Sequence, residues 1–170
     1  MSIARAEEQM MTQQIPDLTT DALWKLLESR GKGVLATIRR DGRPQLSNIS
    51  YAFDPATRVL TTSAATFRAK TRNLQRDPRA SVHITSEDFL IWVVAEGAVT
   101  LGEPIRSHGE PAAEEKIASL RAAHPEWSDA DLAAHLEAYP IIDRLTISLQ
   151  VDRIYGGNST KADGISETLA

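Results

Sequence analysis

The sequence predicts a mainly β domain in which six antiparallel strands form a small barrel with helices at its edges. Six segments of the 170-residue chain show strand-like alternation or are rich in β-branched residues, and turn residues separate them. The helical segments do not alternate regularly with the strands, so a doubly wound parallel sheet is not expected. A hydrophobic content of 42% suffices for one packed core of this size.

A first helix is predicted to run from Leu18 to about Arg30. Thr19 or Thr20 is a candidate for its N-terminal cap, and Gly31 ends the unit. Apolar residues recur in it every three to four positions, at Leu18, Ala22, Leu23, Leu26 and Leu27.

The next segments predict a hairpin followed by a third strand. Residues 33–39 and 45–53 form the hairpin, because Asp41-Gly42 between them suits a turn that requires positive φ. A second turn at Asp54-Pro55 leads into the third strand at residues 58–63.

The middle of the chain predicts a short basic helix and two strands. The helix covers about residues 67–76 and ends at Asp77-Pro78. The strands follow at residues 80–85 and 91–101, and Gly97 in the second is a suitable place for a β-bulge.

A helical insert of about residues 110–140 precedes the last strand, which is predicted at residues 145–155. The insert divides into helices at residues 111–123 and 128–139, interrupted at His124-Pro125. Its apolar and charged residues suit an amphipathic cover over the barrel or a lid beside a groove, and the pattern favours a cover.

The domain organisation is predicted to be a single barrel between two flexible ends. Residues 1–16 are polar and expected to be mobile, residues 17–156 form the barrel with its insert, and residues 157–170 are expected to be a disordered tail. Which of the three methionines, Met1, Met10 or Met11, is the native start is not evident from the sequence.

The composition argues against several classes of function. A net charge of -4 and a pI near 5.6 provide no general attraction for nucleic acid or an acidic membrane surface. No apolar run has the length of a signal peptide or a membrane span, so we expect a soluble cytoplasmic protein. The absence of cysteine excludes disulfides, thiolate metal sites and a cysteine nucleophile. The four histidines form no close metal-ligand pair, and no HExxH or GxSxG motif occurs, so neither a metal nor a dedicated catalytic side chain is predicted.

The basic helix carries the most informative pattern in the chain. If Thr66 caps this helix, Arg68, Lys70 and Arg72 lie in its first two turns, where the helix dipole is already positive. Cations at that end are unfavourable unless an anion binds there, so the pattern indicates a phosphate site. A solvated basic helix that pairs with surface carboxylates is the alternative on these residues alone.

The strings in residues 33–37, 41–48 and 67–74, closed by residues 77–80, resemble the pyridoxamine-phosphate-oxidase-like split-barrel superfamily. Within it, the string Arg-Ala-Lys-Thr-Arg-Asn-Leu at residues 68–74 is most similar to actinobacterial flavin/deazaflavin oxidoreductases that use coenzyme F420. The resemblance implies that Arg68 and Lys70 bind the cofactor phosphate.

The same resemblance implies a split-barrel homodimer with the cofactor in a groove between subunits. Polar strand residues would contact the ring edge, and Trp92 would wall the site from one subunit or the other. Arg144 is a weaker candidate for reaching across the interface. The strand residues could equally have ordinary structural roles, and Trp92 could pack in the dimer interface. The cofactor-binding residues predicted in this way are Gln45, Ser47, Asn48, Thr62, Ser63, Arg68, Ala69, Lys70, Thr71 and Trp92.

The resemblance implies an F420H2-dependent reductase that passes a hydride from the reduced deazaflavin to a small conjugated or quinone-like acceptor. An FMN-binding oxidoreductase on the same barrel and a non-catalytic F420-binding protein are the alternatives. Vitamin B6 chemistry is not expected, because no second set of basic residues matches a substrate phosphate. The natural acceptor is not evident from the sequence.

Overall fold

A computed structural model describes residues 19–159 and 165–169, so the segment 1–16 predicted to be mobile lies outside the described residues. Helix α1 (Thr20–Arg30) opens the domain as predicted. The side chain of Thr19 accepts a hydrogen bond from the Ala22 N–H at 3.3 Å, and Gly31 ends the helix with φ 62°.

The described residues form eight strands and four helices. The strands, all in one antiparallel sheet, are β1 (Lys32–Ile38), β2 (Pro44–Ser50), β3 (Ala52–Asp54), β4 (Val59–Ala65), β5 (Arg79–Thr85), β6 (Ile91–Leu101), β7 (Arg144–Asn158) and β8 (Ile165–Leu169). The helices after α1 are α2 (Ala69–Arg76), α3 (Pro111–Ala123) and α4 (Asp129–Ala138). None of these helices is long and apolar enough to cross a bilayer.

The sheet curls into a split barrel because its two edge strands are neighbours in sequence. The strand order is β2-β1-β5-β6-β7-β4-β3, yet only Tyr51 separates β2 from β3. The edges therefore meet at Tyr51, whose N–H donates to the Gly31 carbonyl at 2.8 Å and whose hydroxyl donates to the Leu27 carbonyl at 2.5 Å. Because β3 pairs with β4 only from Asp54↔Val59 to Ala52↔Thr61, the barrel wall has a gap between β2 and the rest of β4.

Tyr51 also explains one difference from the sequence prediction. The strand expected at residues 45–53 is divided at this residue, since the backbone turns from one edge of the sheet to the other there. The alternation of the sequence continues through the break, so the periodicity gave no sign of it.

The core fills the barrel, and a smaller cluster lies under the insert. Fully buried side chains of the main core come from α1 and from most strands: Leu23, Leu27, Leu35, Leu60, Val82, Ile84, Val93, Ile147, Leu149 and Ile154. The second cluster consists of Ile105, Ala113 and Ile141, so α3 packs beside the start of β7 rather than over the barrel centre.

The basic helix starts two residues later than predicted. Arg68, not Thr66, is its N-cap, and no side chain caps it. The reason is a turn in which the Arg68 N–H donates to the Ala65 carbonyl at 3.1 Å, while the Thr71 hydroxyl donates to the same carbonyl at 2.9 Å.

The C-terminal segment differs from the prediction of a disordered tail at residues 157–170. Residues 157–158 complete β7, and Ile165–Leu169 form β8, which pairs with Arg153–Gly157. The physical reason is that β4 covers β7 only as far as Gln150, which leaves backbone beyond it free for another strand. Residues 160–164 and 170 lie outside the described residues.

Two further predictions are confirmed. The register of β6 against β7 shifts between Glu96 and Gly97, which is the expected bulge. Both insert helices form, and the second begins with a capping box between Ser128 and Asp131.

Candidate functional site

The gap in the barrel wall is a cavity of about 460 Å³, which we call the β2–β4 groove. Strand β2 forms one side, β4 forms the other, and the start of α2 closes one end together with the first residue of β7. The lining residues are Gln45, Ser47, Asn48, Ser63, Ala64, Ala65, Arg68, Ala69, Lys70 and Arg144.

Three cations gather at the helix end of this groove. Arg68 is the N-cap of α2, Lys70 lies in its first turn, and Arg144 pairs with Ala65 across β7 and β4. Arg144 Nη1 lies 3.5 Å from the Ser63 hydroxyl, and its Nε donates to the Pro140 carbonyl at 3.0 Å. Within the described part of the chain, none of the three forms an ion pair with a carboxylate. The helix dipole adds to their positive potential, so this end of the groove suits an anion.

Burial and the neighbouring positive charges affect the pKa of Lys70. Burial lowers the pKa of its ammonium, and the charges of Arg68 and Arg144 lower it further. An anion between these groups would reverse the charge effect, because an opposite charge nearby favours the protonated form.

A further cation, Lys116 of the insert, lies outside the lining of the groove. Its neighbours on α3, Ala113 and Ile117, pack into the small cluster with Ile105 and Ile141. That cluster is bonded to the start of β7, since the N–H of Arg144 donates to the Ile141 carbonyl at 3.2 Å. Burial lowers the pKa of the Lys116 ammonium, and the charge of Arg144 contributes. Lys116 was not predicted from the sequence, because its position relative to Arg144 depends on how the insert packs and no local motif encodes it.

Seven of the ten predicted cofactor residues line the groove. They are Gln45, Ser47, Asn48, Ser63, Arg68, Ala69 and Lys70. The structure also places Arg144 in the groove of its own chain, whereas the sequence analysis considered it for a reach across an interface.

The other three predicted residues lie outside the lining of this groove. The hydroxyl of Thr62 donates to the Ser50 carbonyl at 2.7 Å, and that of Thr71 donates to Ala65, so both hold backbone segments together. Trp92 packs on the sheet, with its ring centroid 6.1 Å from that of Tyr155. A cofactor contact made by Trp92 across a dimer stays a prediction.

The described groove lining offers binding groups but no carboxylate, imidazole or thiol. It combines three cations at one end with amide and hydroxyl groups along one strand. Such a lining can hold an anion and orient a polar ring, whereas the reaction itself would depend on a bound group.

A second cavity of about 490 Å³ on the sheet is less suited to an anion. Its lining includes the carboxylates of Glu96 and Asp152. Its cation, Arg79, is already paired with Asp77 at 2.7 Å. We therefore place the candidate site in the slightly smaller β2–β4 groove.

Comparison with known proteins agrees with the split-barrel fold. The profile of the pyridoxamine 5'-phosphate oxidase family matches residues 19–156. A solved structure named F420 reductase is 24% identical, with a TM-score of 0.57, and the match covers 80% of this chain and 98% of that one. Conserved hypothetical protein Rv2991 from Mycobacterium tuberculosis is 22% identical, with a TM-score of 0.60 and coverage of 84% and 86%. A heme binding protein from Mycobacterium smegmatis is 24% identical, with a TM-score of 0.56. The match covers 85% of this chain and 55% of that protein, so this chain spans about half of the length of the heme binding protein. At these identities the structures show the fold alone.

Proposed function

The chain belongs to the pyridoxamine 5'-phosphate oxidase family, and from that premise we propose that it is an F420H2-dependent reductase acting on a small conjugated or quinone-like acceptor. The observation that carries the proposal is the convergence of Arg68, Lys70 and Arg144 at one end of the β2–β4 groove with no carboxylate partner among the described residues. Three cations at a helix N-terminus suit a phosphate group.

Different residues of the groove would bind different parts of the cofactor. Arg68, Lys70 and Arg144 would hold the phosphate, and the Ser63 hydroxyl beside Arg144 would hydrogen-bond to it. Gln45 and Ser47 on β2 would orient the polar edge of the ring. The reduced deazaflavin supplies a hydride when bound. The chain would contribute orientation and exclusion of water, which is consistent with a described lining that holds no carboxylate, imidazole or thiol.

Lys116 supports F420 over FMN as the cofactor. Both cofactors carry a phosphate, but F420 has further carboxylates on its tail. This half-buried lysine, whose pKa the charge of Arg144 helps to lower, would add positive charge beyond what one phosphate requires. FMN remains the alternative, since it would use the same phosphate end and the same ring edge.

Vitamin B6 chemistry is not part of the proposal. A pyridoxamine phosphate substrate would need a second phosphate site beside the first. The described lining of the groove holds one group of cations, and its other side chains are uncharged.

A second copy of this chain is the partner we propose for the open side of the groove. Leu46 on β2 is 64% exposed and Phe67 before α2 is 61% exposed, and both flank groove residues. Large apolar side chains beside a site are typical of a surface that another protein covers. Sedimentation velocity would test this: a dimer is expected, and Leu46→Glu should give monomer without unfolding. A wild-type monomer at micromolar concentration would contradict the shared groove.

Turnover tests the reductase assignment. The purified protein is mixed with reduced F420 and a panel of quinones and enones, and reoxidation of the cofactor is followed by its fluorescence. Protein-dependent reoxidation with at least one acceptor is expected. Tight binding without turnover would favour the non-catalytic F420-binding protein, whereas thermal protection by FMN and not by F420 would favour the flavin alternative.

A further inference from the structure

A chain of five side chains carries hydrogen bonds from the end of α2 to the β2–β4 groove. It runs from Arg76 to Asn73, Thr37, Gln45 and Ser47, with donor–acceptor distances of 3.2, 3.1, 3.0 and 2.7 Å. Two of its members are buried, since Thr37 is 1% exposed and Asn73 7%, whereas Gln45 and Ser47 are half-buried. The buried pair has few alternative arrangements, because each unsatisfied group would cost free energy.

The direction of the chain is set at its first member. A guanidinium only donates, so the Asn73 atom that lies 3.2 Å from Arg76 is its carbonyl oxygen. Arg76 also donates to the Ile38 carbonyl at 2.6 Å, which holds the guanidinium in place. The amide nitrogen of Asn73 is therefore the atom that faces Thr37, and it donates to the Thr37 hydroxyl oxygen.

The donor and acceptor roles of Thr37 and Gln45 follow from the same rules. The Thr37 oxygen accepts from Asn73, and its proton goes to the Oε1 atom of Gln45 at 3.0 Å, the nearer of its two acceptors, since the Gln45 backbone carbonyl lies at 3.5 Å. The Leu46 carbonyl only accepts, so the Gln45 atom 2.7 Å from it is Nε2, and this nitrogen also donates to the Ser47 hydroxyl at 2.7 Å. The contacts to Thr37 and Leu46 therefore hold the Gln45 amide in the same orientation.

We infer that Ser47 presents its hydroxyl proton to the groove, and that the ligand bound there carries a hydrogen-bond acceptor at this position. The Ser47 oxygen accepts from Gln45, so its proton is available to a ligand. Thr37 and Asn73 are positioning residues, since they lie outside the groove lining and act through Gln45.

The chemistry of the acceptor rests on the proposed function. For a deazaflavin or a flavin it is a carbonyl oxygen or an unprotonated nitrogen on the heteroatom edge of the ring. If Gln45 were turned around, its oxygen would face Ser47 and would take the serine proton. The site would then offer the ring an acceptor in place of a donor.

A double-mutant cycle tests whether Thr37 acts through Ser47. Thr37→Val keeps the shape of the side chain but removes the hydroxyl, Thr37→Ser keeps the hydroxyl, and Ser47→Ala removes the terminal donor. F420 and FMN affinities are measured for each variant by fluorescence titration. With whichever cofactor the wild type binds, Thr37→Val should weaken binding by about threefold to tenfold, and Thr37→Ser should retain most of the affinity. In the Ser47→Ala background, Thr37→Val should have almost no further effect.

A purely structural role of Thr37 predicts a different pattern. Equal weakening by Thr37→Val with and without Ser47 would overturn the inference, and so would an unchanged affinity. Ser86→Ala is the control for lost hydrogen bonds, because the Ser86 hydroxyl bonds to Asp88 and Ile91 in the turn between β5 and β6. It should lower stability and leave cofactor affinity unchanged.

A measurement without cofactor separates this inference from the proposed function. In the apo protein, both Gln45 amide protons are hydrogen-bonded, so their nuclear magnetic resonances should be well dispersed and exchange slowly with water. Thr37→Val should shift these resonances and accelerate exchange several-fold, whereas Ser86→Ala should not. If the wild type binds neither cofactor but shows this response, the proposed function fails and the hydrogen-bond chain stands. If the resonances do not respond, the chain fails whatever the protein binds.

Discussion

The guanidinium of Arg144 lies 3.5 Å from the hydroxyl of Ser63, across two paired strands that are distant in sequence. This contact brings the start of β7 to the groove that α2 closes. The cationic end is therefore built from two parts of the chain, since Arg68 and Lys70 come from the start of α2 and Arg144 is the first residue of β7.

Removal of the Lys70 charge should weaken cofactor binding. Lys70→Ala is expected to raise the Kd by about tenfold to a hundredfold, because a charge-assisted contact to phosphate is lost. Lys70→Arg should retain part of the affinity. Lys25→Ala, at an exposed position of α1, is the matched control and should bind as the wild type does. A Kd that is unchanged in Lys70→Ala would remove the phosphate assignment.

The same lysine should make the apo protein less stable at neutral pH. The folded-state pKa of Lys70 lies below its ordinary value, so protonation favours the unfolded state. This penalty is full below the folded-state pKa and disappears as pH rises through the ordinary lysine pKa. Lys70→Met should therefore raise the melting temperature of the apo protein at pH 7, with the difference shrinking at alkaline pH. A lower melting temperature of Lys70→Met at pH 7 would contradict a destabilising charge at this position.

Lys116 should discriminate between cofactors. Lys116→Gln is expected to weaken F420 binding by about twofold to fivefold at low salt, while FMN binding changes less, because only F420 carries tail carboxylates. Arg121→Gln is the control on the same helix, since Arg121 is paired with Asp129 at 2.8 Å. Equal effects on both cofactors would indicate that Lys116 acts on the phosphate alone.

Gly97, at the bulge in β6, should not tolerate a side chain. A Cβ atom on Gly97 would lie 1.8 Å from the Gln150 carbonyl oxygen, so Gly97→Ala is expected to lower the free energy of unfolding by about 3 kcal/mol. Gly109→Ala is the control, because its Cβ would meet no atom within 4 Å. Chemical denaturation measures both, and a loss below about 1 kcal/mol for Gly97→Ala would mean that the strands can separate there at little cost.

The sequence predicted the features that depend on local signals. The Asp41-Gly42 turn, the bulge at Gly97 and the cap at Thr19 were predicted because their residue types have strong conformational preferences. The cations at the start of α2 were recognised because positive charges at a helix N-terminus are unfavourable unless an anion binds there.

Features set by tertiary contacts were predicted less well. The break at Tyr51 arises where two sheet edges meet, and the strand at Ile165–Leu169 forms because β7 extends beyond β4. The roles of Arg144 and Lys116 depend on how the insert packs. No periodicity or spacing encodes these contacts, since they join residues that are far apart in the chain.

Titration of the purified protein with F420 and, separately, with FMN is the most direct test of the central claim that the β2–β4 groove binds a phosphate-bearing tricyclic cofactor. Fluorescence reports binding in both cases. We expect preferential binding of F420, and loss of affinity in Lys70→Ala. Preferential binding of FMN would support the groove as a cofactor site but identify FMN as the cofactor. Binding of neither would contradict the account.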